Sequence, residues 1–145
     1  MNQKITAFLF GLLGTALLIC SCILALYFRQ SSQQAVLYSR LAASASHFDT
    51  GELTGEGSLL PEREELYEQN PDMVGWIQIE GTGIDYPVMQ TPADSNYYLK
   101  HDFEKNYTDY GCPFAQANCD VQAPSDNVII YGHNMKDGSM FADLA

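Results

Sequence analysis

The chain has 145 residues, four of them cysteine, and a formal net charge of −11 at pH 7. All 18 acidic residues lie after residue 30, where only five basic residues accompany them and no basic cluster occurs. A surface of this charge repels nucleic acid, so the composition excludes a nucleic-acid partner. The length allows one domain, and the apolar start of the chain reduces the part that is left for a folded core.

The first predicted element is an uncharged, apolar run over residues 5–28. As a helix, a run of this length extends about 36 Å, enough to cross a hydrocarbon core of roughly 30 Å. We predict a single-pass anchor in the cell membrane, with residues 1–4 as a cytoplasmic head. The large region that follows is then extracytoplasmic. A cleaved signal peptide, or a lipoprotein signal that retains Cys22, remains an alternative.

Residues 29–60 predict a stalk and a flexible linker. Residues 30–46 are polar, rich in Ala and Ser, and compatible with a helix that continues from the anchor. Residues 47–60 combine three glycines with acidic residues, a composition typical of a flexible linker. His47 lies in this linker and has no predicted role. The folded domain is therefore predicted to span residues 61–145.

The predicted domain begins with a short helix and continues as a hairpin. Pro61 suits the first turn of a helix, and Asn70-Pro71 ends it. Residues 76–79 and 84–88 alternate like strands on either side of a glycine-rich turn. The other predicted features are a short strand at 114–116, a turn entering a helix at 135–145, and core positions for Trp76 and Tyr86.

His133 follows the strongest strand signal in the chain. Residues 127–131 are rich in β-branched side chains and end at Gly132, which predicts a buried strand that carries His133 at its end. A rigid element at the edge of a cleft is a suitable place for a general acid or base. A histidine that is simply hydrogen-bonded within a loop fits the same position.

Four segments between residues 70 and 144 occur in an order and spacing that match one known family. They are Asn70-Pro71-Asp72-Met73-Val74-Gly75-Trp76-Ile77, then Ile84-Asp85-Tyr86-Pro87-Val88-Met89-Gln90, then Tyr98-Leu99 with His101-Asp102-Phe103, and finally Asn127-Val128-Ile129-Ile130-Tyr131-Gly132-His133-Asn134-Met135 with Asp137-Gly138-Ser139-Met140-Phe141. Together these segments resemble the class B sortases. Sortases are cysteine transpeptidases of Gram-positive surfaces that cut a sorting signal and join the new C-terminus to an amine.

The resemblance implies a mainly β fold. We expect an incomplete sortase-like β-barrel with a short N-terminal helix, preceded by one transmembrane helix. The implied partners are secreted proteins with an Asn-Pro-x-Thr-like or related sorting signal, and the peptidoglycan cross-bridge or its lipid-linked precursor. No cofactor is expected.

The resemblance also implies that His133 is the catalytic histidine. The family's nucleophilic cysteine and its oxyanion-stabilising arginine are expected beyond residue 145. The chain is therefore expected to be the N-terminal portion of such an enzyme and inactive alone. A non-catalytic, membrane-anchored binding or scaffold module that reuses half of the fold is the alternative.

The two cysteines beyond the anchor leave further alternatives open. Cys112 and Cys119 could form a local disulfide or remain a free pair, because spacing alone does not determine the geometry. Cys119 as a nucleophile for His133, and zinc bound with His101 or His133, are disfavoured because neither has a supporting motif. His101 beside Asp102 fits a His–carboxylate pair or, preferably, a solvated loop histidine.

Overall fold

The computed structural model describes residues 3–46, 61–121 and 127–145. The chain divides into two compact units, Met1–Ala35 and Val36–Ala145. The predicted linker at residues 47–60, with His47, lies outside the described residues.

The first unit is helical throughout its described residues. It belongs to α1 (Gln3–Ser46), which continues without a break through the segment predicted as a helical stalk. Within the described part of the chain, Phe8–Ala45 is the one helical segment long and apolar enough to cross a membrane, a property that export signals share. Large apolar side chains that are more than half exposed occur along it: Phe8, Leu9, Phe10, Leu12, Leu13, Leu17, Leu18, Ile19, Ile23, Leu24, Leu26 and Phe28.

The last turns of α1 belong to the second unit and carry core residues. Leu37, Tyr38 and Leu41 are all buried. Their spacing places them on one face of a helix, since residues three and four apart are neighbours there. The sequence analysis starts the folded domain near Pro61, whereas its core begins at Leu37. A polar average composition over residues 30–46 obscures the narrow apolar face.

The short helix α2 (Pro61–Gln69) has the bounds that the sequence predicts. Asn70 ends it with a buried side chain that serves three partners. Its amide nitrogen donates to the Tyr98 hydroxyl and to the Phe103 carbonyl, at 2.9 and 2.7 Å. Its amide oxygen accepts from the Asp72 backbone N–H at 3.1 Å. Asn70 thus links the end of α2 to the next loop of the domain.

The predicted hairpin is confirmed, with a first strand that begins earlier than expected and a second strand shifted by one residue. β1 (Met73–Gln78) pairs antiparallel with β2 (Asp85–Met89), and the register is irregular between Met73 and Gly75. Tyr86 is a core residue, as predicted. Trp76 is half-buried at the edge of the core, and its indole N–H donates to Asp85 Oδ1 at 2.7 Å.

Two short strands extend the sheet. β3 (Phe114–Ala115) is parallel to β2, and β4 (Ile130–Tyr131) is antiparallel to β3. The described residues therefore form a mixed four-stranded sheet in the order β1-β2-β3-β4. Short 3₁₀ helices at Tyr97–Leu99 and Ala142–Leu144 complete the regular structure of the described residues.

The prediction of a buried strand over residues 127–131 is confirmed as a strand only at Ile130–Tyr131, and the predicted burial is wrong. The strand there has two residues, Val128 and Ile129 are both 39% exposed, and Tyr131 is 45% exposed. A β-branched run indicates extended backbone and affinity for a core, but the neighbours that would cover it are determined by tertiary structure. The hydrophobic core instead contains Leu37, Tyr38, Leu41, Leu66, Met73, Ile84, Tyr86, Met89, Tyr98, Phe103, Tyr110, Cys112, Phe114 and Met140.

Candidate functional site

His133 lies directly after β4 and Gly132, as the sequence predicts, and its side chain is half-buried. Its Nε2 atom is 2.8 Å from the carbonyl oxygen of Leu99, the last residue of the first 3₁₀ helix. A carbonyl oxygen only accepts hydrogen bonds, so Nε2 carries the proton in this contact. In the neutral ring, Nδ1 then holds the lone pair that can accept a proton.

Gly132 is the close-packed joint between β4 and His133. A Cβ at this position would lie 2.7 Å from two ring carbons of Phe141. That distance is shorter than van der Waals contact, so a larger residue would displace the Phe141 ring. The Phe141 backbone N–H donates to the His133 carbonyl at 2.8 Å, which fixes the main chain of the histidine from the same side.

Residues 134–140 form a tight loop that begins and ends beside the histidine. Asn134 and Met140 form an isolated antiparallel bridge, and Gly138 occupies the turn with a φ of 86°. Asp137 Oδ1 accepts hydrogen bonds from the backbone N–H and the hydroxyl of Ser139, at 3.1 and 2.7 Å. The loop is therefore ordered by its own polar contacts.

Two core tyrosines hold this loop against the sheet. The Tyr86 hydroxyl accepts a hydrogen bond from the Met140 backbone N–H at 3.2 Å, and the Tyr110 hydroxyl donates to Asp137 Oδ2. Burial raises the pKa of Tyr86, so its hydroxyl stays protonated at neutral pH. These contacts connect the surroundings of His133 to β2 and to the residues before β3.

His101 occupies a separate, aromatic setting. Its ring stacks on Tyr97 with centroids 3.9 Å apart and meets the edge of Tyr107 at 5.9 Å. Its Nδ1 atom is 2.7 Å from the Tyr97 carbonyl oxygen. The expectation of a solvated loop histidine is wrong, because ring stacking and partial burial give this imidazole a packing role.

Cys112 and Cys119 are both free thiols in the structure. Cys112 is 2% exposed, and its Sγ contacts the Pro87 carbonyl oxygen at 3.6 Å. Burial raises the pKa of the Cys112 thiol well above its ordinary value, so the thiolate needed for nucleophilic attack is scarce at neutral pH. Cys119 is half-buried, with Sγ 3.8 Å from the Asn127 carbonyl oxygen. Neither setting is that of an activated nucleophile.

No group of three or more His, Cys, Asp or Glu side chains in residues 3–46, 61–121 and 127–145 is arranged to hold a metal ion. The chemistry that this region offers is proton transfer at His133. Sequence reasoning found the histidine through its motif but missed the Leu99 carbonyl, because a main-chain acceptor has no signature in the sequence. It also missed the tyrosine contacts that hold the loop.

No protein-family profile matches the chain. Two curated proteins resemble it in sequence, both named Sortase B. The one from Listeria monocytogenes is 46% identical over 88 residues, which are 61% of this chain and 35% of the relative. The one from Staphylococcus aureus is 37% identical over 81 residues, 56% of this chain and 33% of the relative. The chain thus matches about a third of the length of these curated relatives.

The fold resembles solved sortase B structures as well. Sortase B from B. anthracis in complex with AAEK1 superimposes with a TM-score of 0.71 at 28% sequence identity. The match covers 81% of this chain and 54% of that structure. The likeness extends through both sequence and fold, and it supports a relationship to the class B sortases over part of these relatives' length.

Proposed function

We propose that this chain is part of a membrane-anchored cysteine transpeptidase of the class B sortase type, with His133 as its catalytic histidine. The observation that carries the proposal is the imidazole at the end of β4, with Nε2 held 2.8 Å from the Leu99 carbonyl and embedded in a sortase-like sequence. The nucleophilic cysteine and the oxyanion-stabilising arginine come from other parts of the full-length protein.

In the proposed reaction, the cysteine thiolate attacks the peptide carbonyl of the sorting signal, and the arginine stabilises the resulting oxyanion. The imidazolium of His133 donates a proton to the leaving amine as the C–N bond breaks, which leaves a thioester. Neutral His133 then accepts a proton from the incoming amine. That amine attacks the thioester, forms the new amide bond and releases the thiolate.

The hydrogen bond to Leu99 supports different roles for the two nitrogens of the ring. Nε2–H is donated to the carbonyl, so Nδ1 is the atom that gives and receives the proton in both half-reactions. A base must be oriented as well as present, and a fixed acceptor on the far nitrogen selects the tautomer. Phe141 adds a second constraint, because its ring packs against Gly132 and its backbone N–H donates to the His133 carbonyl.

The partners and location follow from the same proposal. The donor is a secreted protein with an Asn-Pro-x-Thr-like sorting signal, and the acceptor is the amine of a peptidoglycan cross-bridge or its lipid-linked precursor. Residues 5–28 serve as a single-pass anchor in the cell membrane, with residues 1–4 in the cytoplasm. The exposed apolar side chains of α1 support this role. The rest of the protein is extracytoplasmic, where the acceptor is found, and completes the β-barrel.

The test uses the full-length protein and a fluorogenic peptide that carries an Asn-Pro-x-Thr signal, with a primary amine as acceptor. His133→Ala should lower transpeptidation by a factor of roughly 10² to 10⁴, the usual contribution of a positioned acid or base. His47→Ala, at a histidine to which the sequence assigns no role, is the control and should retain activity. Turnover by a folded His133→Ala enzyme within tenfold of the unsubstituted enzyme would refute the assignment.

A further inference from the structure

Gly111 packs unusually close to the carbonyl group that His133 contacts. A Cβ on Gly111 would lie 2.7 Å from the Leu99 carbonyl oxygen and 2.5 Å from that of Tyr98. The φ of Gly111 is also 61°, in the left-handed region that favours glycine. Any other residue would therefore meet both a steric clash with this pair of carbonyls and a backbone penalty. Gly111 therefore packs against the Leu99 carbonyl at a distance that only glycine allows, and this contact holds the carbonyl in position.

Tyr38 holds Gly111 from the opposite side. The Tyr38 hydroxyl is buried and donates a hydrogen bond to the Gly111 carbonyl at 2.6 Å. The next backbone N–H, that of Cys112, donates to the Tyr98 carbonyl at 2.9 Å. Burial keeps the pKa of Tyr38 above its ordinary value, so this hydroxyl remains a donor at neutral pH. The peptide group between Gly111 and Cys112 is thus held by hydrogen bonds at its carbonyl oxygen and at its N–H.

These contacts form a continuous path from the end of α1 to the imidazole. Tyr38 contacts Gly111, the Gly111 backbone packs against the Leu99 carbonyl, and that carbonyl accepts the proton on His133 Nε2. The ring of Tyr38 also packs edge-on against Tyr86, at a centroid distance of 5.1 Å. Tyr86 in turn holds Met140 of the loop after His133. The Tyr38 side chain therefore supports both segments that position the histidine.

We infer that Gly111 is a positioning residue for His133, acting through the Leu99 carbonyl, and that Tyr38 secures Gly111. The consequence for catalysis rests on the function proposed above, whereas the consequence for the imidazole does not. With Gly111 in place, the Leu99 carbonyl selects the Nε2–H tautomer. When the carbonyl moves, the neutral ring loses the contribution of this hydrogen bond to the Nε2–H form.

The experiment measures the tautomers of neutral His133 in the 145-residue chain. The chain is labelled with ¹⁵N-histidine, held in detergent micelles, and studied by NMR at a pH high enough for the histidine rings to be neutral. His133→Gln identifies the His133 signals. Gly111→Ala should lower the ratio of the Nε2–H to the Nδ1–H form roughly five-fold, the factor associated with one net hydrogen bond. Tyr38→Phe should lower it in the same direction by a smaller factor.

Two controls separate positioning from general destabilisation. Gly81 also has a positive φ, 79°, but a Cβ there meets nothing within 4 Å, so Gly81→Ala matches the backbone penalty without the clash. Tyr67→Phe removes a hydroxyl from an exposed tyrosine of α2. Both controls should leave the tautomer ratio of His133 unchanged.

An unchanged ratio in Tyr38→Phe and in folded Gly111→Ala would overturn the inference. So would an equal fall in Gly81→Ala, because general strain would then account for the change. If Gly111→Ala does not fold, Tyr38→Phe decides alone, since it removes one oxygen atom from a side chain that keeps its ring. The readout is independent of turnover, so a failure of the proposed function would be detected separately, as activity retained by His133→Ala.

Discussion

At the scale of single residues, the site around His133 depends on two glycines, each of which leaves room for a different neighbour. Gly132 leaves room for the Phe141 ring, and Gly111 leaves room for the Tyr98 and Leu99 carbonyls. Gly111 also needs its left-handed backbone conformation, whereas Gly132 needs only the space. Gly132 keeps the chain in place before the imidazole, and Gly111 keeps the Leu99 carbonyl, the partner of Nε2, in place.

Burial makes Cys112 a structural thiol. Its side chain belongs to the core, and its pKa is raised because burial disfavours the charged thiolate. A raised pKa lowers the thiolate fraction at every pH below it, so the thiol is a poor nucleophile both for alkylation and for catalysis. Cys119 is only half-buried.

We expect a clear difference in reactivity between these two thiols. In a Cys20→Ser, Cys22→Ser background, the half-buried Cys119 should react quickly with a colorimetric disulfide reagent at pH 7. The buried Cys112 should react more than about tenfold more slowly, since each unit by which its pKa is raised removes a factor of ten in thiolate. Adding denaturant should expose it. Cys119→Ser should remove the fast phase, and a fast phase that survives this substitution would contradict the assignment.

At the scale of secondary-structure elements, the end of α1 contributes to the core through apolar packing. The ion pair between Arg40 and Glu104 also joins the helix to the domain, at 2.5 Å, but both side chains are about half exposed. Exposed pairs of this kind contribute little to stability, typically under about 1 kcal/mol. The buried Leu37, Tyr38 and Leu41 therefore dominate the attachment.

Leu41→Ala tests that attachment. Leu41 is 2% exposed, so the substitution should lower the free energy of unfolding by about 2–5 kcal/mol through lost burial and a residual cavity. Val36→Ala, on the same helix at a side chain that is 67% exposed, should change it by less than about 0.5 kcal/mol. Chemical unfolding followed by near-UV circular dichroism gives both values. Equal effects would show that the end of α1 does not belong to the core.

The hairpin was predictable because its information is local. Residues on both strands alternate in polarity, and the turn between them is rich in glycine, so neighbouring residues determine the pairing. The parallel pairing of β2 with β3 is different, because it joins Met89 to Phe114 across a long irregular segment. Residues 127–129 show the same limit, since their apolar character predicts burial without identifying what covers them.

At the scale of the whole molecule, the sequence located the candidate catalytic residue but not the structure that orients it. His133 is recognisable from its motif, which includes the glycine before it and the residues after it. Its acceptor is a backbone carbonyl, and its supports are Gly111 and Tyr38, far away in the chain. Main-chain geometry and the contacts of distant residues depend on tertiary packing, which has no local pattern.

The folded unit extends further towards the N-terminus than the sequence predicts. A fragment that begins at Val36 retains the core residues of α1, whereas one that begins at Pro61, the boundary expected from the sequence, loses Leu37, Tyr38 and Leu41. A buried side chain of this size contributes about 1.5–3 kcal/mol, and the total stability of a domain is about 5–15 kcal/mol. Losing three such side chains removes a large share of that total.

We therefore expect residues 36–145 to melt cooperatively, and residues 61–145 to melt at a lower temperature or to aggregate. Aggregation is favoured in the shorter fragment because the partly exposed Val128, Ile129 and Tyr131 would be joined by core surface that α1 no longer covers. Thermal melting by circular dichroism, with size-exclusion chromatography, measures both properties. The 36–145 fragment carrying Leu41→Ala is the matched control and should melt between the two. A sharp, monomeric melt of residues 61–145 at the temperature of the longer fragment would show that α1 does not stabilise this folded unit.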